Sequence, residues 1–326
     1  MAKVRIGIIG VGRHGSRYAR HAATDVDGVE LAAVCRRDGA EGNALAGELG
    51  CDYESDARAL IARSDIDAVV LVTVPWLLED LVVASVESGK RVLVEKPVAH
   101  DVDSGRRILE RIQATNAFCM AGQTLRFNTV ANALRERVHE LGRLDSMIFS
   151  QRFPPQLQLG WLDDPERSGG GNILHTGVHC FDLVRYISGL DPASVSCTTR
   201  SVYTKRTEDS FVAELALSSE SALAMVSCSR TTRSRNGLIE LTGENGQLIG
   251  DHVLNTLHRI DSEGTTQIDP GPAKHTVLEA LRAFAEDIQS DRAPRISYRD
   301  GLAAVATADA CYRSAAEARH ARVVMP

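Results

Sequence analysis

No uninterrupted apolar run in this 326-residue chain approaches the roughly 20 residues that a membrane-spanning helix needs, so the sequence predicts no transmembrane segment. The start, Met1-Ala2-Lys3-Val4-Arg5, passes straight into a strand-like segment, and no signal peptide is expected. An excess of positive charge is also missing. With 37 basic and 43 acidic side chains the formal charge is −6, which offers no general attraction to nucleic-acid phosphates or anionic bilayers, so neither is expected as a partner. The seven cysteines, Cys35, Cys51, Cys119, Cys180, Cys197, Cys228 and Cys311, form neither a C-x-x-C element nor a small disulfide scaffold. Reduced thiols in a cytoplasmic protein fit that pattern. Internal repeats and low-complexity tracts are absent, and the Pro/Gly stretch Asp269–Pro272 is short enough for a loop rather than a linker.

What the chain does contain is 44% apolar composition at a length sufficient for two domains, each with its own core. From Val4 to about Phe118, strand-like runs (Val4–Ile9, Val29–Cys35, Val69–Val74, Arg91–Val94) alternate with helical patterns. A helix over Asp103–Thr115 and a strand near Ala117–Ala121 complete the series. This alternation predicts an α/β Rossmann domain over residues 1–122, with a parallel sheet and crossover helices. Beyond a helix at Thr129–Leu141 the pattern changes to successive strands: Leu144–Phe153, Ser194–Tyr203, Ser210–Leu217, Ala222–Ser229, Gly237–Thr242 and Gln247–Leu257. Residues 123–326 therefore read as an α+β domain with a large, mainly antiparallel open sheet, serving substrate binding and oligomerisation. Phe211, Ala213, Leu215 and Leu217 give one apolar face, while Val212, Glu214 and Ala216 give a mixed one. A partner subunit covering the second face predicts a homodimer or homotetramer, and a helix is the alternative cover. Helices at Val277–Gln289 and Gly301–Glu317 either close the second domain or pack back on the first.

Gly10-Val11-Gly12-Arg13-His14-Gly15 follows the first strand and opens a helix, the context that a G-x-G-x-x-G element requires. The first glycine permits the tight turn, the second lets backbone approach a pyrophosphate, and the third allows close helix-to-strand packing. A glycine turn without ligand is the alternative. At the end of the second strand, where an acidic residue would take the ribose of NAD, stand Arg36 and Arg37. Two guanidinium groups suit a 2′-phosphate, so NADP(H) is the expected cofactor and NAD(H) a possible one. In the alternative, both arginines are solvated and Asp38 takes the ribose.

Glu95-Lys96-Pro97 ends the Arg91–Val94 strand, placing a lysine at the carboxyl edge of a parallel sheet, where open α/β folds bind ligands. Much later comes Gly169-Gly170-Gly171-Asn172-Ile173-Leu174-His175-Thr176-Gly177-Val178-His179-Cys180-Phe181-Asp182, a glycine loop running into a helix on which His175 and His179 share a face. Glycine turn, E-K-P and G-G-G followed by G-x-H-x-x-D, in this order, resemble the glucose–fructose oxidoreductase / inositol dehydrogenase family, Gfo/Idh/MocA. The resemblance runs nearly end to end, including Gly122–Phe127 with Arg126, Trp161–Pro165, Glu240–Gly246 and the closing helix with Ser314.

The resemblance implies an NAD(P)-dependent dehydrogenase or reductase acting on a hydroxyl or carbonyl carbon of a sugar, cyclitol or related polyol. Lys96 would lie between nicotinamide and substrate, with a peptide bond to Pro97 that can be cis, and His179 would be the acid–base residue. A cation close by stabilises developing alkoxide, and imidazole titrates near working pH. Thr73, Pro75 and Glu95 join Gly10, Gly12, Arg13, His14, Gly15, Arg36, Arg37 and Lys96 as expected cofactor residues. Arg126, Arg152, Trp161, His175 and His179 join Lys96 as expected substrate residues. Where the family commonly has aspartate, four residues before His179, this chain has His175, which could share the proton or contact a substrate hydroxyl.

Three further features carry competing expectations. The His175/His179 pair, followed by Asp182, also has the i, i+4 spacing at which imidazoles converge on one ion; with Asp182 read as a buried hydrogen-bonding partner a third ligand is not evident, and no metal is expected. The run from Arg230 to Arg235 suits an anionic substrate or, as the alternative, a solvated edge or oligomer contact. Trp161 and Arg152 suit a polyol pocket, and Trp161 equally suits a core. Redox-neutral hydrolysis or elimination with a retained nucleotide, and a nucleotide-binding regulator without turnover, remain as alternative functions.

Overall fold

In a computed structural model of the chain, residues 3–155, 160–218 and 222–326 are described; the expectation attached to Met1 and Ala2 lies outside them. The chain divides into two compact units, one of residues 1–124 and 275–302, the other of residues 125–274 and 303–326.

The first unit is built on β1 (Val4–Ile9), β2 (Val29–Cys35), β3 (Asp52–Glu54), β4 (Ala68–Leu71), β5 (Arg91–Glu95) and β6 (Cys119–Gly122). Between them run α1 (Gly15–Thr24), α2 (Gly39–Leu49), α3 (Ala57–Ala62), α4 (Leu78–Glu87) and α5 (Val102–Thr115). The strands pair in parallel in the order β3-β2-β1-β4-β5-β6. Helices on a parallel sheet bury both faces, so β4 reads as an unbroken apolar run, and Ala68, Val69, Val70 and Leu71 are fully buried. The strand order reverses between β1 and β4, and the glycine turn opens at the carboxyl end of β1, beside that reversal. Local chemistry starts the helices: Asp38 caps α2 by accepting the Glu41 N–H (3.0 Å), and Asp101 with Ser104 forms a capping box on α5. β4 ends three residues earlier than its apolar run suggests, because Pro75 opens a 3₁₀ turn over Pro75–Leu77. β3, absent from the sequence expectation, has three half-exposed or exposed residues and is too short to show a period.

The second unit contains α6 (Thr129–Arg137), β7 (Leu144–Arg152), α7 (Pro165–Ser168), α8 (Val178–Ser188), β8 (Pro192–Arg200), β9 (Ser210–Leu217), β10 (Leu223–Ser229) and β11 (Asn236–Gly243). It continues through β12 (Gly246–Asp251), β13 (Thr256–Asp261), β14 (Gly264–Ile268) and β15 (Ala321–Arg322). Among the described residues these strands form one sheet, ordered β14-β13-β12-β11-β7-β10-β9-β8-β15. The β7–β10 pair is parallel and the other pairs are antiparallel, so the sheet is mixed but mainly antiparallel, as expected. The run Gln247–Leu257, expected as one strand, is corrected to two: β12 and β13 are separated by a turn in which Asn255 takes φ 55°, a left-handed conformation that asparagine tolerates. α6 and α8 cover one face of the sheet with Val130, Leu134, Phe181 and Val184. On β9 and β10 the opposite face leaves Val212, Leu223 and Met225 at 48%, 52% and 41% exposure.

α9 (Thr276–Gln289) takes the second of its two expected placements. It packs back on the first unit, against α1 and β1, with Phe284 edge-on to Phe118 at 5.8 Å. Residues 275–302 therefore depart from a single cut at Gly122, because the apolar stripe of α9 finds its core there. The boundary between the units falls within α10 (Tyr298–Glu317). Among the described residues no helix is long and apolar enough to cross a membrane.

Candidate active site

In the first unit the three glycines of the turn have three different surroundings. Gly10 has φ +95°, and a Cβ on it would stand 2.3 Å from the carbonyl oxygen of Val72; a Cβ on Gly15 would stand 2.2 Å from that of Gly10. Both positions exclude a side chain by backbone contact, one to make the turn and one to seat α1 against it. A Cβ on Gly12 would meet no protein atom within 4 Å, so side-chain loss there opens room above the turn rather than relieving an internal clash. α1 has no side-chain cap and no acidic residue in its first turn. Open backbone at a helix N-terminus without a competing carboxylate fits a pyrophosphate.

Arg36 is half-buried. Its guanidinium donates to the carbonyl oxygen of Val11 (3.3 Å) and forms an ion pair with Glu41. Arg37 and Arg13 are exposed, Thr73 is half-buried after β4, and Pro75 is buried. Asp38 spends its carboxylate on the α2 cap.

Glu95 ends β5 and is 7% exposed; its carboxylate accepts the Tyr18 hydroxyl at 2.6 Å and lies 3.5 Å from His14 Nε2. His14 and Tyr18 meet edge to face at 5.7 Å, one turn apart at the start of α1. Burial, followed by the charge of Glu95, pushes the Tyr18 phenol well above its ordinary range, so the phenol is a donor to the carboxylate and not a base. Tyr18 was not among the expected site residues, and its partner is 77 residues away. Tyr18→Phe leaves Glu95 buried with one fewer donor and should lower stability by about 1–3 kcal/mol, read by urea denaturation. Lys96 follows, half-buried, and its peptide bond to Pro97 is cis, as the family resemblance implied. Gly122 on β6 passes so close to Glu95 that a Cβ would stand 2.9 Å from its Cα.

In the second unit the glycine loop is gripped from the β8–β9 connection. The Glu208 carboxylate accepts the Ile173 N–H (2.7 Å), the Gly171 N–H (3.2 Å) and the Tyr312 hydroxyl (3.1 Å), and its carbonyl oxygen accepts the Asn172 N–H (2.8 Å). Gly171 has no room for a side chain, since a Cβ would stand 2.1 Å from that same carbonyl oxygen. Burial raises the Glu208 carboxyl, while the N–H and O–H donors pull it back. Asp209 accepts the N–H groups of Val202, Tyr203 and Thr204. Neither acid was foreseen. The Glu208 side chain captures backbone 35 and 37 residues away, which no local spacing announces, whereas Asp209 closes the turn just before it in the chain.

The helix that carries the histidines differs from expectation in one respect. Ile173–Gly177 is a π-turn, with the Val178 N–H donating to the carbonyl oxygen of Ile173 five residues back, and only then does α8 begin. Such insertions recur at functional sites because they re-aim the side chains they carry. His175, on the π-turn, is 7% exposed with Trp161 edge-on at 5.5 Å; His179, in the first turn of α8, is half-buried. Arg230, expected as part of either an anion site or a solvated edge, is half-buried and donates to the Thr176 hydroxyl at 3.0 Å. Burial lowers its pKa. His175, Asn172, Thr207, Glu208 and Arg230 line one small cavity.

Two of the expected substrate residues are held by the fold. Arg126 makes a bidentate pair with Asp182 (2.7 and 2.8 Å), at 11% and 1% side-chain exposure, and stacks over Tyr186. Arg152 donates to the carbonyl oxygen of Ser227 (2.6 Å) and to its hydroxyl (3.0 Å). Asp182 is thus the buried partner its sequence suggested, with a guanidinium as its mate. Removing that guanidinium leaves a buried charge, so Arg126→Ala should cost about 3–5 kcal/mol, and Asp182→Asn in the same chain should recover part of it, both read by chemical denaturation. Among the described residues no group of three or more His, Cys, Asp or Glu side chains is arranged to hold a metal ion.

Residues 4–123 match the family model described as "Oxidoreductase family, NAD-binding Rossmann fold", GFO_IDH_MocA, and residues 132–249 match the "GFO/IDH/MocA C-terminal domain". Inositol 2-dehydrogenase of Rhizobium meliloti (strain 1021) is 28% identical, covering 97% of this chain and 98% of its own. 1,5-Anhydro-D-fructose reductase of Ensifer adhaerens is also 28% identical, covering 98% of both chains. The crystal structure of an oxidoreductase domain protein from Kribbella flavida superposes with a TM-score of 0.89 at 23% identity, over 99% of this chain and 100% of that one.

Proposed function

This chain belongs to the Gfo/Idh/MocA family of NAD(P)-dependent oxidoreductases, and from that premise we propose that it interconverts a secondary alcohol and its ketone on a sugar, cyclitol or related polyol. The observation that carries the substrate class is that a cyclitol dehydrogenase and an anhydrosugar reductase both align with it from end to end. When bound, the nicotinamide ring accepts or returns the hydride. The protein's own groups do the rest. Lys96, a half-buried cation at the carboxyl end of β5, stabilises negative charge developing on the substrate oxygen. His179 takes the hydroxyl proton in oxidation and returns it in reduction, and His175 contributes a second imidazole to hydrogen-bonding of the substrate.

NADP(H) is the proposed preferred cofactor, supported by Arg36, Arg37 and Arg13 near the glycine turn, with NAD(H) as a second substrate of the site. Arg126 and Arg152 support the substrate-side unit through its scaffold, and Trp161 offers an apolar face to a sugar ring. We further propose a homodimer or homotetramer formed through the sheet face bearing Val212, Leu223 and Met225, and a cytoplasmic location, for which the seven free thiols speak. Light scattering on the purified protein tests the oligomer. The reaction is tested by following reduced-nicotinamide absorbance with a panel of inositols, anhydrosugars and aldoses: a net change supports alcohol oxidation or ketone reduction, whereas product formed without net change points to redox-neutral chemistry.

A further inference from the structure

Arg36 is already paired with an anion. It leaves β2 directly after Cys35 and is anchored by its donation to the carbonyl oxygen of Val11, inside the glycine turn. Its own carbonyl oxygen accepts the Tyr53 hydroxyl at 2.8 Å. The carboxylate that meets its guanidinium is that of Glu41, in the first turn of α2. The backbone of Glu41 is held in place, because its N–H is the one that Asp38 caps, yet its side chain is 59% exposed and can swing. Val11, Gly12, Arg13, Arg36 and Glu41 line one open pocket, whose far end is bordered by a second ion pair, Arg20 with Glu48.

We propose that Glu41 is the residue that sets the balance between NADP(H) and NAD(H), as a built-in anion competing with the 2′-phosphate for Arg36. The inference rests on Arg36 being the cation that reads that phosphate. A phosphate monoester carries about −1.5 to −2 charge near neutral pH and three acceptor oxygens, against one charge on a carboxylate, so it displaces Glu41 from a fork-shaped guanidinium. Displacement has a cost. An exposed ion pair is broken, and the released carboxylate stays on a short tether next to the incoming phosphate, which it repels. With NAD(H) nothing is displaced: the pair stays closed, Arg36 remains neutralised, and the second oxygen of Glu41 is available to accept from a ribose hydroxyl. One side chain thus penalises the phosphorylated cofactor and favours the other.

The test is fluorescence titration of the intact protein with NADPH and with NADH, needing no substrate, for wild type, Glu41→Gln, Glu48→Gln and Arg36→Ala. Glu41→Gln is expected to tighten NADPH about five- to tenfold and to leave NADH unchanged or severalfold weaker. Glu48→Gln, which removes the same charge from the other pair, is expected to change the NADPH/NADH ratio less than twofold. An unchanged ratio in Glu41→Gln, or an equal change in Glu48→Gln, overturns the role of Glu41. Arg36→Ala separates the premise from the inference. A selective loss of NADPH keeps Arg36 as the phosphate reader even where Glu41 fails, whereas loss of neither or of both cofactors alike removes the premise and the inference with it.

Discussion

Lys96→Ala is expected to lower kcat by about two to four orders of magnitude, while the Kd for NAD(P)H moves by less than about threefold. The split follows from which atoms do which job. In the proposed arrangement the cofactor phosphates rest on backbone at Gly10, Gly12 and Gly15, whose geometry the substitution does not touch. In the proposed mechanism the lysine side chain supplies a cation where an alkoxide develops, an interaction far stronger in the transition state than in the ground state. Its position is inherited from the residue before it: Glu95 is locked by Tyr18, and Pro97 fixes the backbone that follows. Lys96→Arg keeps the charge but replaces a compact ammonium with a planar fork, and should restore only a minor part of the lost rate. Steady-state kinetics with a cofactor titration on the same preparations check both numbers. Unchanged turnover in Lys96→Ala would remove the lysine from the mechanism.

His179→Asn is expected to lower kcat by about 10²- to 10⁴-fold and to flatten the acidic limb of the kcat/KM profile in the oxidative direction. A base that must be neutral to accept a proton loses activity as it becomes protonated, so the wild-type rate falls with falling pH; asparagine does not titrate and has no such limb. His179 is only half-buried in the first turn of α8, so asparagine leaves the packing of Val178, Cys180 and Phe181 in place, and stability should change little. His175 supplies the contrast. It is buried on the π-turn against Trp161, and a variant that kept the pH limb while losing His179 would transfer the acid–base role to His175. Kinetics from pH 5 to 10 with each variant make that distinction.

Much of the fold was readable in the chain because its signals are local. β1 and β2 run over Val4–Ile9 and Val29–Cys35, as their β-branched runs predict, and the alternation in Ser210–Leu217 appears as buried Phe211, Ala213, Leu215 and Leu217 against exposed Val212 and Glu214. The errors occur where a local pattern is ambiguous. Gln247–Leu257 reads as one strand since apolar residues lie on both sides of Gly250-Asp251-His252, and the π-turn at Ile173–Gly177 has no compositional mark that separates it from the α-helix it leads into.

The residues that shape the site divide along the same line. By its sequence the chain determined the glycine turn, Glu95-Lys96-Pro97 and the helix with His175 and His179, since each is a short segment whose conformation and chemistry depend on its own neighbours. Tertiary structure alone decided the partners: Tyr18 for Glu95, Glu208 and Tyr312 for the glycine loop, Arg126 for Asp182 and Arg230 for Thr176. The physical reason is distance along the chain. Buried polar groups must be satisfied, but the group that satisfies them is whichever one the packing of apolar faces delivers, and 35 to 141 residues separate these pairs.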